Sequence, residues 1–305
     1  MKDLIDLHMH TSYSSDGDHL PAEILAMARD LGLRAISISD HDTVEGAQIA
    51  ISCCRDYGVE VLPSVEFTTF LDGRELHILS YFINLAAPSV LAQLSQIRKF
   101  DEMRIKELAS VLQHLGVDVT YEEAKLLSPH AAPKCSVLVK AALTNGRNVG
   151  LPLFKEYVDG SKSDQPYHNF FLDYMRPGRP AYVEPLMRYS TIDAIALIRA
   201  NGGVPVLAHP GGSLKLPRDL KLIDTLRSEG LCGLEVYSSY HTQDDETFLL
   251  NYSNQYDLAI TAGSDFHGAT VKPNIRMGEL KNNQYSLVEN LKERSQILNL
   301  GPLQK

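Results

Sequence analysis

The chain is 305 residues long, 44% hydrophobic and 22% charged, with a formal net charge of −9. That length allows one barrel-sized soluble core, plain or carrying an insertion, and the acidic balance argues against a general duplex-binding surface, which needs clustered Lys and Arg. The opening MKDLIDLHMH lacks the apolar stretch of a signal peptide, and no segment approaches the roughly 20 apolar residues of a membrane span.

Leu4-Ile5-Asp6-Leu7 reads as a short strand ending in His8 and His10. Side chains two apart on a strand point the same way, so the two imidazoles converge on one face. Taken alone, an H-x-H reads equally well as two solvated loop histidines. A helix follows from about Pro21 to Leu31, with proline at its start, then strand Ala35–His41 and a second helix from about Val44 to Tyr57. Val59–Glu66 reads as a strand, Asp72-Gly73 as a turn, and Glu75–Phe82 as the returning strand. Strand–helix alternation of this kind predicts parallel strands joined by right-handed crossovers.

The pattern breaks between about Ser89 and Tyr182. A long charged helix over Ser89–Leu115 leads to a capping-box start at Asp118–Glu123, a helical stretch over Lys134–Thr144, and Gly- and Pro-punctuated segments. This region, 89–181, reads as a mostly helical insertion dividing a domain made of 1–88 and 182–305. The alternation resumes with helix Thr191–Ala200, strand Val204–His209, helix Leu220–Ser228, strand Gly233–Tyr237, helix Asp244–Tyr256 and strand Leu258–Ala262. The count favours a parallel barrel over an open doubly wound sheet, and neither a G-x-G-x-x-G fingerprint nor a P-loop occurs. The four cysteines, Cys53, Cys54, Cys135 and Cys232, show no C-x-x-C spacing and read as free thiols in a reducing cytoplasm.

The chemistry-bearing residues gather after the strands. His8, His10 and Asp16 follow the first, and His41 ends the second in Ser-Asp-His-Asp. Glu66 ends the third, His77 lies in the returning strand, and His209 precedes Pro-Gly-Gly. Asp265 and His267 follow the last in Gly-Ser-Asp-Phe-His-Gly. Residues in such positions share one rim of a barrel. Six imidazoles and three carboxylates suit borderline divalent metals such as Mn, Fe or Zn. Asp16 in Ser-Asp-Gly reads equally as a turn former, and Asp42 as a helix cap or as a residue orienting His41. His19, His114, His130, His168 and His241 fit no rim position.

The set HxH, SDG, SDHD, the strand-end Glu66, His77, HPGG and GSDFHG resembles the PHP phosphoesterases, the family named for polymerase and histidinol phosphatase domains. The resemblance covers residues 1–83 and 182–280, with an insertion like that of the nucleoside-bisphosphate phosphatases. It implies an α/β fold, a distorted (βα)7 TIM-like barrel with a mostly helical insertion, and up to three metals. Carried over position by position, His8, His10, Glu66 and Asp265 hold the first metal. Glu66 bridges to a second, also held by His77 and His209, and Asp16, His41 and His267 hold the third. In the family's Arg-Pro-His-like segment this chain reads Ala132-Pro-Lys-Cys-Ser136, which places Lys134 where an arginine contacts phosphate. Arg179 reads either as a second contact from the far edge of the insertion or as a solvated turn residue.

Three divalent ions against the formal charges of Asp16, Glu66 and Asp265 leave a positive pocket on an acidic protein, suited to phosphate dianions. Clustered metals bring the pKa of a bridging water from about 16 toward neutrality, giving a hydroxide nucleophile, held here by Glu66 and Asp265. The expected function is therefore a cytoplasmic phosphoric ester hydrolase acting on a small phosphorylated metabolite. The favoured reaction takes a nucleoside 3′,5′-bisphosphate to the 5′-monophosphate. The alternatives are a cyclic-phosphate or short-oligonucleotide phosphodiesterase, a histidinol phosphate phosphatase, and an amidohydrolase on a non-phosphate substrate.

Overall fold

A computed structural model describes residues 3–300. Strands β1 (Leu4–Met9), β2 (Leu33–Ile38) and β3 (Glu60–Pro63) form a parallel sheet in that order, connected by helices α1 (Pro21–Leu31) and α2 (Glu45–Tyr57). The sequence shows why α1 forms there. Pro21 occupies the first turn, Ile24, Leu25 and Ala28 make one buried stripe, and Gly32 ends the helix at φ +72°.

Five strands form a second sheet: β4 (Glu66–Leu71), β5 (Arg74–Tyr81), β6 (Val204–Leu207), β7 (Gly233–Ser238) and β8 (Ala259–Gly263), paired in that order. Two departures from the expected pattern occur here. Residues 59–66 are not one strand, because the chain breaks at Ser64–Val65 between β3 and β4. The alternation is also not parallel throughout, since β5 runs antiparallel to both β4 and β6. Asp72 and Gly73 both take positive φ (50° and 76°), the geometry of a tight hairpin turn, so β5 returns directly beside β4. The two sheets are stitched at both edges by single bridges, Met9 to Phe266 and His41 to Glu66.

The later helices are α3 (Pro88–His114), α4 (Tyr121–Leu127), α5 (Cys135–Thr144), the short α6 (Lys155–Val158) and α7 (Pro166–Phe170), and α8 (Thr191–Ala200). They are followed by α9 (Pro210–Ser213), α10 (Leu220–Ser228), α11 (Gln243–Gln255) and α12 (Ser286–Leu300). Helix α3 belongs to two cores. Val90, Leu94 and Ile97 pack into the large cluster under the sheets, whereas Ile105, Leu108 and Leu112 join Leu138, Val139, Phe154 and Phe170 in a separate cluster. That helix thus links the core under the sheets to the cluster formed by the helices after it. No helix among the described residues is long and apolar enough to cross a membrane.

Candidate metal centre

Every rim residue expected from the sequence reaches one place. Strand β1 delivers His8 and His10, both fully buried, from the same face. Their Nε2 atoms lie 3.2 Å apart. Glu66 Oε2 stands 3.2 Å from His8 Nε2 and 3.1 Å from His10 Nε2. Asp265 Oδ1 stands 3.4 Å and 3.0 Å from the same two atoms. Donors about 2.1 Å from one cation in a tetrahedron stand about 3.4 Å apart, so this spacing is that of a ligand set.

Two further donor groups adjoin the first. His10, Asp16, His41 and His267 form one, and His41, Glu66 and His77 the other. His10 and His41 are thus shared more widely than the family assignment implies. His41 Nδ1 is 3.1 Å from Glu66 Oε2, and its Nε2 is 3.7 Å from Asp16 Oδ2. His209 lies outside these close-packed groups, although its Nε2 is 3.2 Å from Glu66 Oε1.

Several features fit divalent cations in this cluster. His8 Nδ1 donates to Glu235 Oε1 at 3.0 Å, and His267 Nδ1 donates to the Asp265 carbonyl at 2.8 Å. Each ring then turns an Nε2 lone pair inward, the arrangement that orients metal-bound imidazoles. Glu66 Oε2, Asp265 Oδ1 and His41 Nδ1 are buried without a well-aligned hydrogen bond among the described residues. Such atoms are costly unless a cation satisfies them. Burial alone would raise the Glu66 carboxyl, but His8, His41 and His77 hold it well below the usual carboxylate range. Burial also opposes ionisation of Asp265, where Lys272, His267 and His8 win and hold it down. The backbone is forced as well: His209, Asp265 and Asp42 take φ of 30°, 57° and 54°, a region side-chain-bearing residues adopt rarely.

Some functional neighbours carry no motif. Glu235, buried in β7, also accepts from the His209 backbone N–H at 2.8 Å. Its signal is a lone carboxylate inside the apolar run Gly-Leu-Glu-Val-Tyr. Tyr240 donates to Asp265 Oδ2 at 2.7 Å, and Lys272 pairs with the same oxygen.

The cluster opens into a cavity of about 550 Å³. Its lining includes Asp16, His41 and His77 together with Phe70, Phe100, Phe171 and Tyr189. Lys134 lies on its wall, but its ammonium sits 2.8 Å from Asp101 Oδ2 and 3.6 Å from Asp42 Oδ2. Burial lowers that ammonium's pKa, and the two carboxylates more than offset it, holding the group charged. Arg179 is absent from the cavity lining. It is exposed, and its N–H closes a turn on the Arg176 carbonyl at 3.0 Å. Arg104 of α3 lines the cavity instead, donating from Nε to the Val183 carbonyl at 3.0 Å. It was hidden in the sequence among the many charges of a long helix. His19, His114, His130 and His241 stay outside the donor groups, and the His168 side chain lies outside the described residues.

Residues 6–147 match the PHP domain family model. A 3′,5′-nucleoside bisphosphate phosphatase of Chromobacterium violaceum is 28% identical over 86% of this chain and 87% of its own length. A 5′-3′ exoribonuclease of Haemophilus influenzae is 28% identical over 86% of this chain and 89% of its own. A phosphoribosyl 1,2-cyclic phosphate 1,2-diphosphodiesterase of Eggerthella lenta is 27% identical over 86% and 94%. Among solved structures, a Chromobacterium violaceum amidohydrolase with bound sulfate and no metal is 25% identical over 95% of this chain and 96% of that one, with a TM-score of 0.78. The fold and site define a metal-dependent phosphoesterase. The chain is a phosphoric ester hydrolase; over residues 6–147 it is similar to the PHP domain, and over most of its length to a nucleoside bisphosphate phosphatase.

Proposed function

We propose that the chain removes the 3′-phosphate of a nucleoside 3′,5′-bisphosphate, releasing the nucleoside 5′-monophosphate. The observation that carries this reading is the cavity itself, which joins the donor cluster to an aromatic wall within about 550 Å³. A phosphate belongs at the cluster, and a flat, largely apolar base belongs against Phe70, Phe100, Phe171 and Tyr189. Arg104 and Lys134 supply positive charge for the second phosphate, charge that a neutral amide would not use.

The underlying architecture in this reading is a distorted (βα)7 TIM-like barrel of 1–88 and 182–305, with 89–181 as a lid. The residues fit up to three divalent cations, Mn, Fe or Zn, held by His8, His10, Asp16, His41, Glu66, His77, His209, Asp265 and His267. Bound there, the cations supply an activated water and positive charge for the phosphoryl oxygens. The chain's own residues do the rest. Glu235 and the Asp265 carbonyl fix imidazole tautomers, and Tyr240 and Lys272 hold Asp265 Oδ2 so that Oδ1 faces the cluster. Helix α3 and the segments after it cover the site and exclude bulk water. Four free cysteines support a reducing compartment such as the cytoplasm.

The test is turnover by the purified protein with Mn²⁺ across phosphomonoesters, cyclic phosphates and diesters. The expected outcome is fastest hydrolysis of the bisphosphate. Faster turnover of a cyclic phosphate, histidinol phosphate or an amide would overturn it.

A further inference from the structure

His209 reaches the cluster on a backbone that ordinary residues avoid, with φ at 30°. Such a conformation persists only where the surroundings hold it. The chain after it gives little help of its own. Pro210 has no N–H, so Gly211 carries the first donor beyond His209, and as the second residue of α9 it has no partner within the helix. The partner comes from elsewhere. His241, in the loop between β7 and α11, accepts the Gly211 N–H on Nε2 at 3.0 Å and donates from Nδ1 to the Val236 carbonyl at 2.8 Å. These two bonds fix the ring as its Nδ1–H tautomer. Asp245 also stands near Gly211, but its Oδ2 is taken by the Thr242 N–H and hydroxyl. The fit is close, since a Cβ on Gly211 would stand 2.6 Å from His241 Cδ2. Tyr240, beside His241 in the chain, meets the His209 ring edge-on at 5.3 Å. This loop adds no donor to the groups of the cluster; it grips the segment that carries one.

We propose that His241 is a positioning residue for the second cation site: it holds the Gly211 N–H and thereby the backbone that turns His209 Nε2 toward Glu66. The inference rests on the reading of His209 as a cation ligand and names what keeps that ligand in place. His209 Nε2 lies 3.2 Å from Glu66 Oε1. Glu235 Oε2 takes the His209 N–H at 2.8 Å and anchors the near end of the turn, and His241 anchors the far end. Without the far anchor the turn can relax to an ordinary φ, which swings the imidazole away from Glu66. An imidazole suits the place because it accepts an N–H without adding another carboxylate beside Glu66, Glu235 and Asp265.

The experiment measures Mn²⁺ binding to the full chain by calorimetry, beside kcat and KM for a nucleoside 3′,5′-bisphosphate at limiting and at saturating Mn²⁺. His241→Leu keeps the bulk and removes the acceptor, and it should weaken one bound cation about tenfold. At limiting Mn²⁺ kcat should fall with KM unchanged, and saturating Mn²⁺ should restore it. His241→Gln, whose amide oxygen has the reach of Nε2, should recover most of the affinity. In a His209→Ala background the ligand is already gone, so His241→Leu should cost no further affinity. Should His241→Leu lose its fold, His241→Asn takes its place with the same expectation, since it keeps a donor for Val236 but is too short for Gly211. Unchanged affinity in the His241 variants, with a cation lost in His209→Ala, would overturn the positioning role and leave the ligand reading standing. Full cation binding in His209→Ala would overturn both. An equal loss with and without His209 would also remove the role, because His241 would then act on the fold at large.

Discussion

Glu235 is the residue whose role the structure adds most plainly. It is fully buried, and both its oxygens are committed, one to His8 Nδ1 and one to the His209 backbone N–H. A carboxylate in that position fixes the His8 tautomer and makes Nε2 a stronger donor. Glu235→Gln keeps the size but removes the charge, and its amide N–H₂ cannot accept from His8. Losing a partner of this kind commonly costs about 10–100-fold in metal affinity or activity. The expected result is fewer bound metal equivalents after dialysis at limiting Mn²⁺, with kcat falling in parallel. Full metal content with wild-type kcat would reduce Glu235 to a filler of the β7 interior. By contrast Lys134 is held between Asp101 and Asp42, and its backbone N–H donates to Ser15 Oγ at 3.1 Å, so it also ties the start of α5 to the Asp16 loop.

At the level of elements, β8 passes so close to β1 that only glycine fits at Gly263. A Cβ there would collide with His8 and with Glu235. Gly263→Ala therefore pushes on a metal-facing histidine and its orienting carboxylate together. Overpacking commonly costs about 1–3 kcal/mol, and here the strain falls on the cluster. The variant should fold with a lowered denaturation midpoint and lose metal affinity, read by urea titration and metal analysis; an unchanged affinity would show that β8 relaxes away without disturbing His8. The same closeness explains what the sequence made legible. Residues at strand ends were readable because a strand's two-residue period and a rim position are local facts, and His8, His10, His41, Glu66 and Asp265 meet as expected. The helices Thr191–Ala200 and Leu220–Ser228 were readable for the same reason, through their apolar stripes. The break at Ser64–Val65 was hidden because apolar residues stand before and after it, Val61 and Leu62 on one side and Phe67 on the other. Arg104 and Lys272 were hidden because their approach to the site depends on how α3 and the loop after β8 cross the rim. Arg179 stayed open between two readings because chain order says nothing about which side of residues 171–182 faces the cavity.

Over the whole molecule, an acidic chain buries a dense group of carboxylates and imidazoles at the junction of its two sheets. Without cations the cluster balances itself with protons. Burial pushes the imidazoles toward neutrality, but Asp265 and Glu66 hold His10 up at about 9, and Glu66 and Glu75 hold His77 up at about 10. These raised values stabilise the metal-free fold fully below the ordinary histidine range, near pH 6.5, and that contribution is lost as pH climbs through 9 to 10. A cation must displace the same protons, so its apparent affinity moves the opposite way and rises with pH over this window. A cation at 100 times its dissociation constant adds about 2.7 kcal/mol to the folded state. For a chain of this size that corresponds to a midpoint shift of roughly 4 °C. Thermal melts with Mn²⁺ and with chelator should therefore differ by that order, and the gap should be wider at pH 8.5 than at pH 6.5. The chelated protein should also melt lower at pH 8.5 than at pH 6.5. A gap that narrows with pH would mean that protons and cations do not compete for the same nitrogens. No gap at either pH, with binding still measured by calorimetry, would place the cations outside the buried cluster.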